Sequence, residues 1–153
     1  MPRTDRAFRF VAAPHEQVYT ALLDPEALIA WLPPGDMTGS IERFDARPGG
    51  SYRMVLTYPE ASSSPGKSTQ NSDIVEARFI ELVPGRRVVY EVDFVSDDAD
   101  LASTMTMTWE LAVVDGGTGV QITADNVPDG VSPQDHAAGM TSSLDQLARY
   151  LER

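Results

Sequence analysis

Few side chains in this chain are placed to do chemistry, and their spacing argues against most familiar machinery. The two histidines, His15 and His136, stand far apart, and neither has a second ligand four residues away as a helical metal site needs. There is no cysteine, so thiolate metal ligands and a disulfide framework are excluded. A metal centre would have to gather carboxylates from scattered positions, and neither a metal nor a cofactor is expected. A phosphate-cradling GxxxxGK loop, a GxGxxG turn and a GxSxG nucleophile elbow are all absent. What remains is acid–base work by His136, or by a buried tyrosine, inside an apolar pocket.

The most informative run is Thr104-Met105-Thr106-Met107-Thr108-Trp109-Glu110-Leu111. Strand side chains alternate faces, so Met105, Met107, Trp109 and Leu111 share one face. Methionine is unbranched and polarizable, and adapts to irregular contents better than Leu or Ile. Tyr52 and Met54 on an earlier strand, with Met140 on the last helix, extend this soft interior. Taken alone, such a stripe reads first as core and only second as pocket lining. His136 reads first as a first-turn histidine, part exposed or satisfied by a carbonyl, and second as a group that holds a ligand head or moves a proton. Trp31 reads first as an anchor for two short helices and second as a lid. Arg47, Arg53 and Arg78 read as solvated strand-face residues, and an inward-facing one would need a carboxylate such as Asp45 or Glu76.

The elements that must position these groups follow from periodicity and punctuation. Residues 7–12 alternate Phe8 and Phe10 with Arg9, a strand signature. Pro14 is expected to open a helix at its first position, with Val18, Leu22 and Tyr19 on its apolar stripe. Asp24-Pro25 ends that helix and starts another, capped by Asp24 and carried by Ala27, Leu28, Trp31 and Leu32 until Pro33-Pro34-Gly35. Residues 38–47 lead to a turn at Pro48-Gly49-Gly50. Tyr52, Met54, Leu56 and Tyr58 then alternate with polar neighbours, and Pro59 to Ser72 reads as a mobile polar surface loop. Strands over 74–83 and 87–95 flank Pro84-Gly85-Arg86, and Asp97, Asp98 and Asp100 form an acidic loop. Strands over 104–114 and 118–124 flank Asp115-Gly116-Gly117, a short hairpin signal. Ser132-Pro133-Gln134-Asp135 opens the clearest helix, and His136, Met140, Leu144, Leu147 and Leu151 make one continuous face. The order predicts an α+β domain: about seven antiparallel strands in a curved sheet, two short helices after the first strand, and a long C-terminal helix gripped by the sheet around an apolar cavity.

Length and charge bound the rest. At 153 residues the chain suits one domain over 1–153, large enough for a core without staples. No segment approaches the roughly 20 apolar residues of a spanning helix, and the N-terminus lacks the apolar run of a signal peptide. The cytoplasm is the expected location, with no membrane insertion. A net charge of −11 repels nucleic acid phosphates, so no nucleic acid partner is expected.

Several stretches together resemble one known family: Phe8-Arg9-Phe10-Val11-Ala12-Ala13-Pro14, Leu23-Asp24-Pro25-Glu26-Ala27-Leu28, Trp31-Leu32-Pro33-Pro34-Gly35, Arg47-Pro48-Gly49-Gly50, the Thr-Met-Thr-Met-Thr-Trp run, Asp135-His136-Ala137-Ala138-Gly139-Met140 and Ser143-Leu144. The chain is similar to the START-like (SRPBCC) superfamily, and more narrowly to its branch homologous to the C-terminal domain of the activator of the heat-shock-protein-90 ATPase. The similarity runs from about residue 7 to residue 151. It implies the helix-grip fold and a cavity between sheet and long helix, which lifts the pocket reading above the plain core. Family members bind lipids, sterols, polyketides or other apolar molecules, and a few are cyclases or hydrolases. The activators that name the branch carry a further N-terminal domain, while here about six residues precede the first strand. The branch name is therefore expected to record descent rather than chaperone modulation.

The leading expectation is a binding module for a small, largely apolar molecule, lipid-like or aromatic. Its candidate lining is Trp31, Phe44, Tyr52, Met54, Leu56, Phe79, Tyr90, Val92, Met105, Met107, Trp109, His136 and Met140, with no residue assigned as catalytic. The alternatives are a cyclase or hydrolase using the same cavity, and a stress-related chaperone-modulating protein, which would carry an exposed apolar patch. A homodimer is left open.

Overall fold

The computed structural model describes residues 3–33, 37–57, 72–94, 104–127 and 132–152. Tyr58, Val95, the Pro34-Gly35 stop, the polar stretch 59–71 and the acidic Asp97, Asp98 and Asp100 lie outside these residues. The element order is β1 (Arg3–Val11), α1 (His15–Leu23), α2 (Pro25–Trp31), β2 (Thr38–Phe44), β3 (Ser51–Thr57), β4 (Ser72–Val83), β5 (Arg87–Phe94), β6 (Thr104–Val114), β7 (Gly117–Val127) and α3 (Pro133–Leu151). All seven strands form one antiparallel sheet in the order β1-β7-β6-β5-β4-β3-β2. Consecutive hairpins build β2 to β7, and β1 closes onto β7. With the long helix on the inner face, this is the expected curved, helix-grip architecture.

Local chemistry accounts for most boundaries. Asp24 caps α2 by accepting from the Glu26 amide at 3.0 Å, with Pro25 in the first turn. Ser132 does the same for α3, accepting from the Asp135 amide at 3.0 Å. Pro14 sits one residue earlier than its expected place. It is the extended N-cap of α1 (φ −60, ψ 146), and the helix begins at His15. Gly116, at φ +82, turns β6 into β7 where a side chain would be strained.

In β1 the rings of Phe8 and Phe10 face outward, 66% and 44% exposed, while Ala7 and Val11 face the core. The reason lies on the neighbouring strand. A Cβ added to Gly119 would come within 3.1 Å of the Phe8 ring, and one added to Gly117 within 3.0 Å of Phe10. The two rings cover glycine backbone that has no side chain of its own, a known device for shielding strand glycines.

Beside Ala7 and Val11, the inner parity of β1 carries Asp5 and Arg9, and these fasten α3. His136 Nδ1 lies 2.7 Å from Asp5 Oδ2, Arg9 Nη1 2.9 Å from Asp145 Oδ1, and the Ala12 amide donates to Glu152 at 2.9 Å. From Asp5 to Ala12 the strand advances about 23 Å at 3.3 Å per residue. From His136 to Glu152 the helix advances about 24 Å at 1.5 Å per residue. The two elements run parallel in near-perfect step, so three contacts can be made along their whole length. A further set ties α3 to α2: Ser143 Oγ donates to the Leu32 carbonyl at 2.9 Å, and Gln146 Nε2 donates to the carbonyls of Trp31 and Pro33. These are carbonyls that the end of α2 leaves unsatisfied.

The core is continuous from α1 and α2 across the sheet to α3. Trp31 and Trp109 meet edge to face at 5.4 Å, and the Trp31 indole donates to the Ala21 carbonyl at 3.0 Å. Trp31 is fully buried and joins α1 to α2, which is the anchoring role. The arginines pair rather than stand free: Arg53 with Glu42 and Glu76 and Arg78 with Glu91 and Asp93 on the outer face, while Arg47, expected on a strand face, stands in the turn between β2 and β3 and pairs with Asp45.

Candidate functional site

Between α3 and the inner face of the sheet the side chains leave a cavity of about 210 Å³ that opens to solvent. Each strand from β3 to β7 presents its inward parity. Tyr52, Met54 and Leu56 come from β3, Val75 from β4, Tyr90 and Val92 from β5, Met105, Met107 and Trp109 from β6, and Ile122 from β7. The helix supplies His136, Gly139, Met140 and Ser143, and Leu32 after α2 closes one end. The spacing is what the elements dictate: alternate residues from strands, and every third or fourth from the helix.

The other hollows differ in kind. Two of about 320 Å³ lie on the outside, one between α1 and the end of α3 with Glu16 and Asp24 on its rim, the other between α2 and β2 with Glu26, Glu42 and Arg43. Charged rims and exposed walls suit water better than an apolar guest. A gap of about 10 Å³ beneath Trp31, Phe79 and Trp109 holds at most one water.

Ten of the thirteen expected lining residues border the cavity. Trp31 and Phe79 border the small gap instead, because the edge-to-face tryptophan pair seals the interior on that side. Phe44 lies on the outer hollow beside β2 and packs its ring on Tyr52 at 5.5 Å and Phe79 at 5.9 Å. Five lining residues were not singled out from the sequence: Leu32, Val75, Ile122, Gly139 and Ser143. Val75 and Ile122 were on strands already recognised and needed only the inward parity. Gly139 and Ser143 flank Met140 on the helix, and hydrophobicity cannot mark them.

Gly139 is the informative one. An added Cβ would meet nothing within 4 Å, so the helix faces open space there. Glycine inside a helix costs about 1 kcal/mol relative to alanine, and its place on the wall keeps the cavity clear.

Polar groups on this wall are few. The Trp109 indole donates to Tyr90 Oη at 2.9 Å, and the Tyr52 hydroxyl adjoins the same oxygen. Burial pushes the Tyr90 phenol up to about 12, against the opposing hydrogen bonds from Trp109 and Tyr52. Burial likewise holds Tyr52 well above the usual phenol range, with Tyr90 adding to it. Both phenols are thus protonated hydrogen-bond donors at neutral pH. At the other end, His136 is held by Asp5, which Arg3 also grips with Nη2 at 3.0 Å. Burial pushes the Asp5 carboxyl up, but hydrogen bonds and charge from Arg3 and His136 outweigh it and leave it below the ordinary value. Asp5 is thereby ionised at neutral pH and orients the imidazole. It was not foreseen, because its partner lies 131 residues away. Its signal was a charge on the strand parity that carries Ala7 and Val11.

No group of three or more His, Cys, Asp or Glu among the described residues could hold a metal ion, and no described helix is long and apolar enough to cross a membrane.

Solved structures share the architecture over nearly full length. Protein CV1439 from Chromobacterium violaceum is 37% identical, with a TM-score of 0.86 over 98% of this chain and 97% of that one. A protein from Rhodobacter sphaeroides is 25% identical, with a TM-score of 0.78 over 97% and 92%. One from Rhizobium leguminosarum, 23% identical with a TM-score of 0.76 over 100% and 96%, bears on the fold alone. No curated protein matches. The family described as Activator of Hsp90 ATPase homolog 1-like protein matches residues 12–152, and the chain therefore belongs to that family, within the START-like (SRPBCC) superfamily whose helix-grip fold commonly takes up hydrophobic ligands.

Proposed function

We propose that this protein binds one small, largely apolar molecule, aromatic or lipid-like, in the cavity between α3 and the sheet. The observation that carries this reading is the cavity itself: about 210 Å³, walled mainly by methionine, aliphatic and aromatic side chains. A dry cavity of about 150 Å³ suffices for benzene, so a two-ring aromatic or a short acyl chain is the right size. Hiding about 200 Å² of apolar surface at roughly 25 cal/mol per Å² supplies about 5 kcal/mol before the costs of association. Four methionines give a wall that adjusts to its guest. Under this reading the whole chain acts as one such domain, in the cytoplasm.

The test is thermal unfolding of the native protein and of Gly139→Leu against a panel of aromatic and acyl ligands. A ligand that binds only the folded state raises Tm. Native protein gains Tm with at least one panel member, and Gly139→Leu, with its side chain in the cavity, loses that gain while keeping its fold. A native protein indifferent to the whole panel, or a variant that responds equally, rejects the reading.

One observation favours a second reading. An imidazole oriented by a partly buried carboxylate, as His136 is by Asp5, suits proton transfer to or from a bound molecule. If a substrate is found, full turnover by His136→Ala removes that assignment.

A further inference from the structure

The polar groups on the cavity wall do not balance, and the imbalance describes the guest. The two phenols Tyr52 and Tyr90 are 3% and 8% exposed. Tyr90 Oη already accepts from the Trp109 indole. The pair owns two hydroxyl protons and can exchange only one between its two oxygens. Among the described residues nothing else accepts from either hydroxyl, so at least one buried O–H is left to donate into the cavity. The cavity opens to solvent, so water can accept that proton, and an occupant that displaces the water must bring an acceptor oxygen in its place.

The far end of the cavity is ionic. Asp5, ionised and gripped by Arg3, accepts from His136 Nδ1 at 2.7 Å. The two ends lie on one cross-strand row, because Asp5 pairs with Ala124, Ala124 with Met107, and Met107 with Tyr90. Three strand spacings separate them, about 14 Å at the backbone, and the methionine wall lies between.

We infer that the ligand carries a carbonyl oxygen that the Tyr52–Tyr90 pair holds, on a flat or flexible apolar body lying along the methionines. The inference rests on the cavity reading above and adds the chemical class, an apolar ketone or ester.

Two probes of one shape test it by calorimetric titration of the full chain: tetralin and α-tetralone. Affinity is expected to rise about tenfold from the first to the second, the scale of one well-made hydrogen bond. The double variant Tyr52→Phe, Tyr90→Phe erases that step. If the double variant does not fold, the native complex still decides: the carbonyl stretch of bound α-tetralone shifts to lower frequency than in hydrocarbon solvent. Equal affinity for both probes, or an unshifted carbonyl, overturns the inference and leaves the cavity reading intact. Failure of both probes overturns the inference as well, and the cavity reading falls with it only where the whole aromatic and acyl panel fails or Gly139→Leu leaves binding unchanged.

Discussion

The side chains that matter most here are unusual in their protonation, and this can be read in the pH dependence of stability. Asp5 and Asp93 are both held below the ordinary value of 3.8, Asp5 against its burial by Arg3 and His136, Asp93 by hydrogen bonds from Arg78 and then Thr104. A carboxyl whose folded value is depressed stabilises fully above its unfolded value, and that contribution is lost as pH falls through the folded one. Urea midpoints are therefore expected to decline from about pH 4 downward. Asp5→Asn is expected to cost about 2 kcal/mol at neutral pH and to flatten part of the acid decline. An unchanged acid limb would show that Asp5 is not held as described. The phenols behave in the opposite sense. Their folded values are raised, so their contribution is complete below pH 10 and drains away as pH rises toward 12. Ultraviolet titration should show Tyr52 and Tyr90 ionising only beyond that range or together with unfolding. Two phenols titrating normally near pH 10 would contradict the burial.

At the scale of elements, helix termini and the glycine within α3 make the clearest predictions. Ser132→Ala removes the cap of α3 and should cost about 1 kcal/mol in urea unfolding. Gly139→Ala should do the reverse and stabilise by about 1 kcal/mol, since an alanine there meets open space. Destabilisation by Gly139→Ala would mean that the wall is closed at that point. These same elements were the most legible part of the sequence. Ser132-Pro133, Asp24-Pro25 and Asp115-Gly116-Gly117 are local signals whose chemistry acts within three residues, and each stands where it was expected. What escaped was non-local. Phe8 and Phe10 announce a strand but not which way it faces, because the answer depends on Gly117 and Gly119 of the partner strand. The parallel step of β1 with α3, and the use of Ser143 and Gln146 to satisfy the end of α2, join residues more than a hundred positions apart. No local pattern encodes such contacts.

For the molecule as a whole, two periodicities and a family resemblance led to the helix-grip fold and to most of the cavity wall. They could not give its volume, which depends on how side chains such as Trp31, Phe79 and Phe44 fill the rest of the interior. The methionines offer the most direct test that this space is a binding site. Of the six in the chain, Met54, Met105, Met107 and Met140 line the cavity, while Met37 does not. The measurement is a methyl-methionine NMR titration of the full chain with α-tetralone. A guest seated between α3 and the sheet shifts the signals of Met54, Met105, Met107 and Met140 together, saturably, and leaves Met37 in place. Signals that do not move, or that move at Met37 while the four stay fixed, would contradict it.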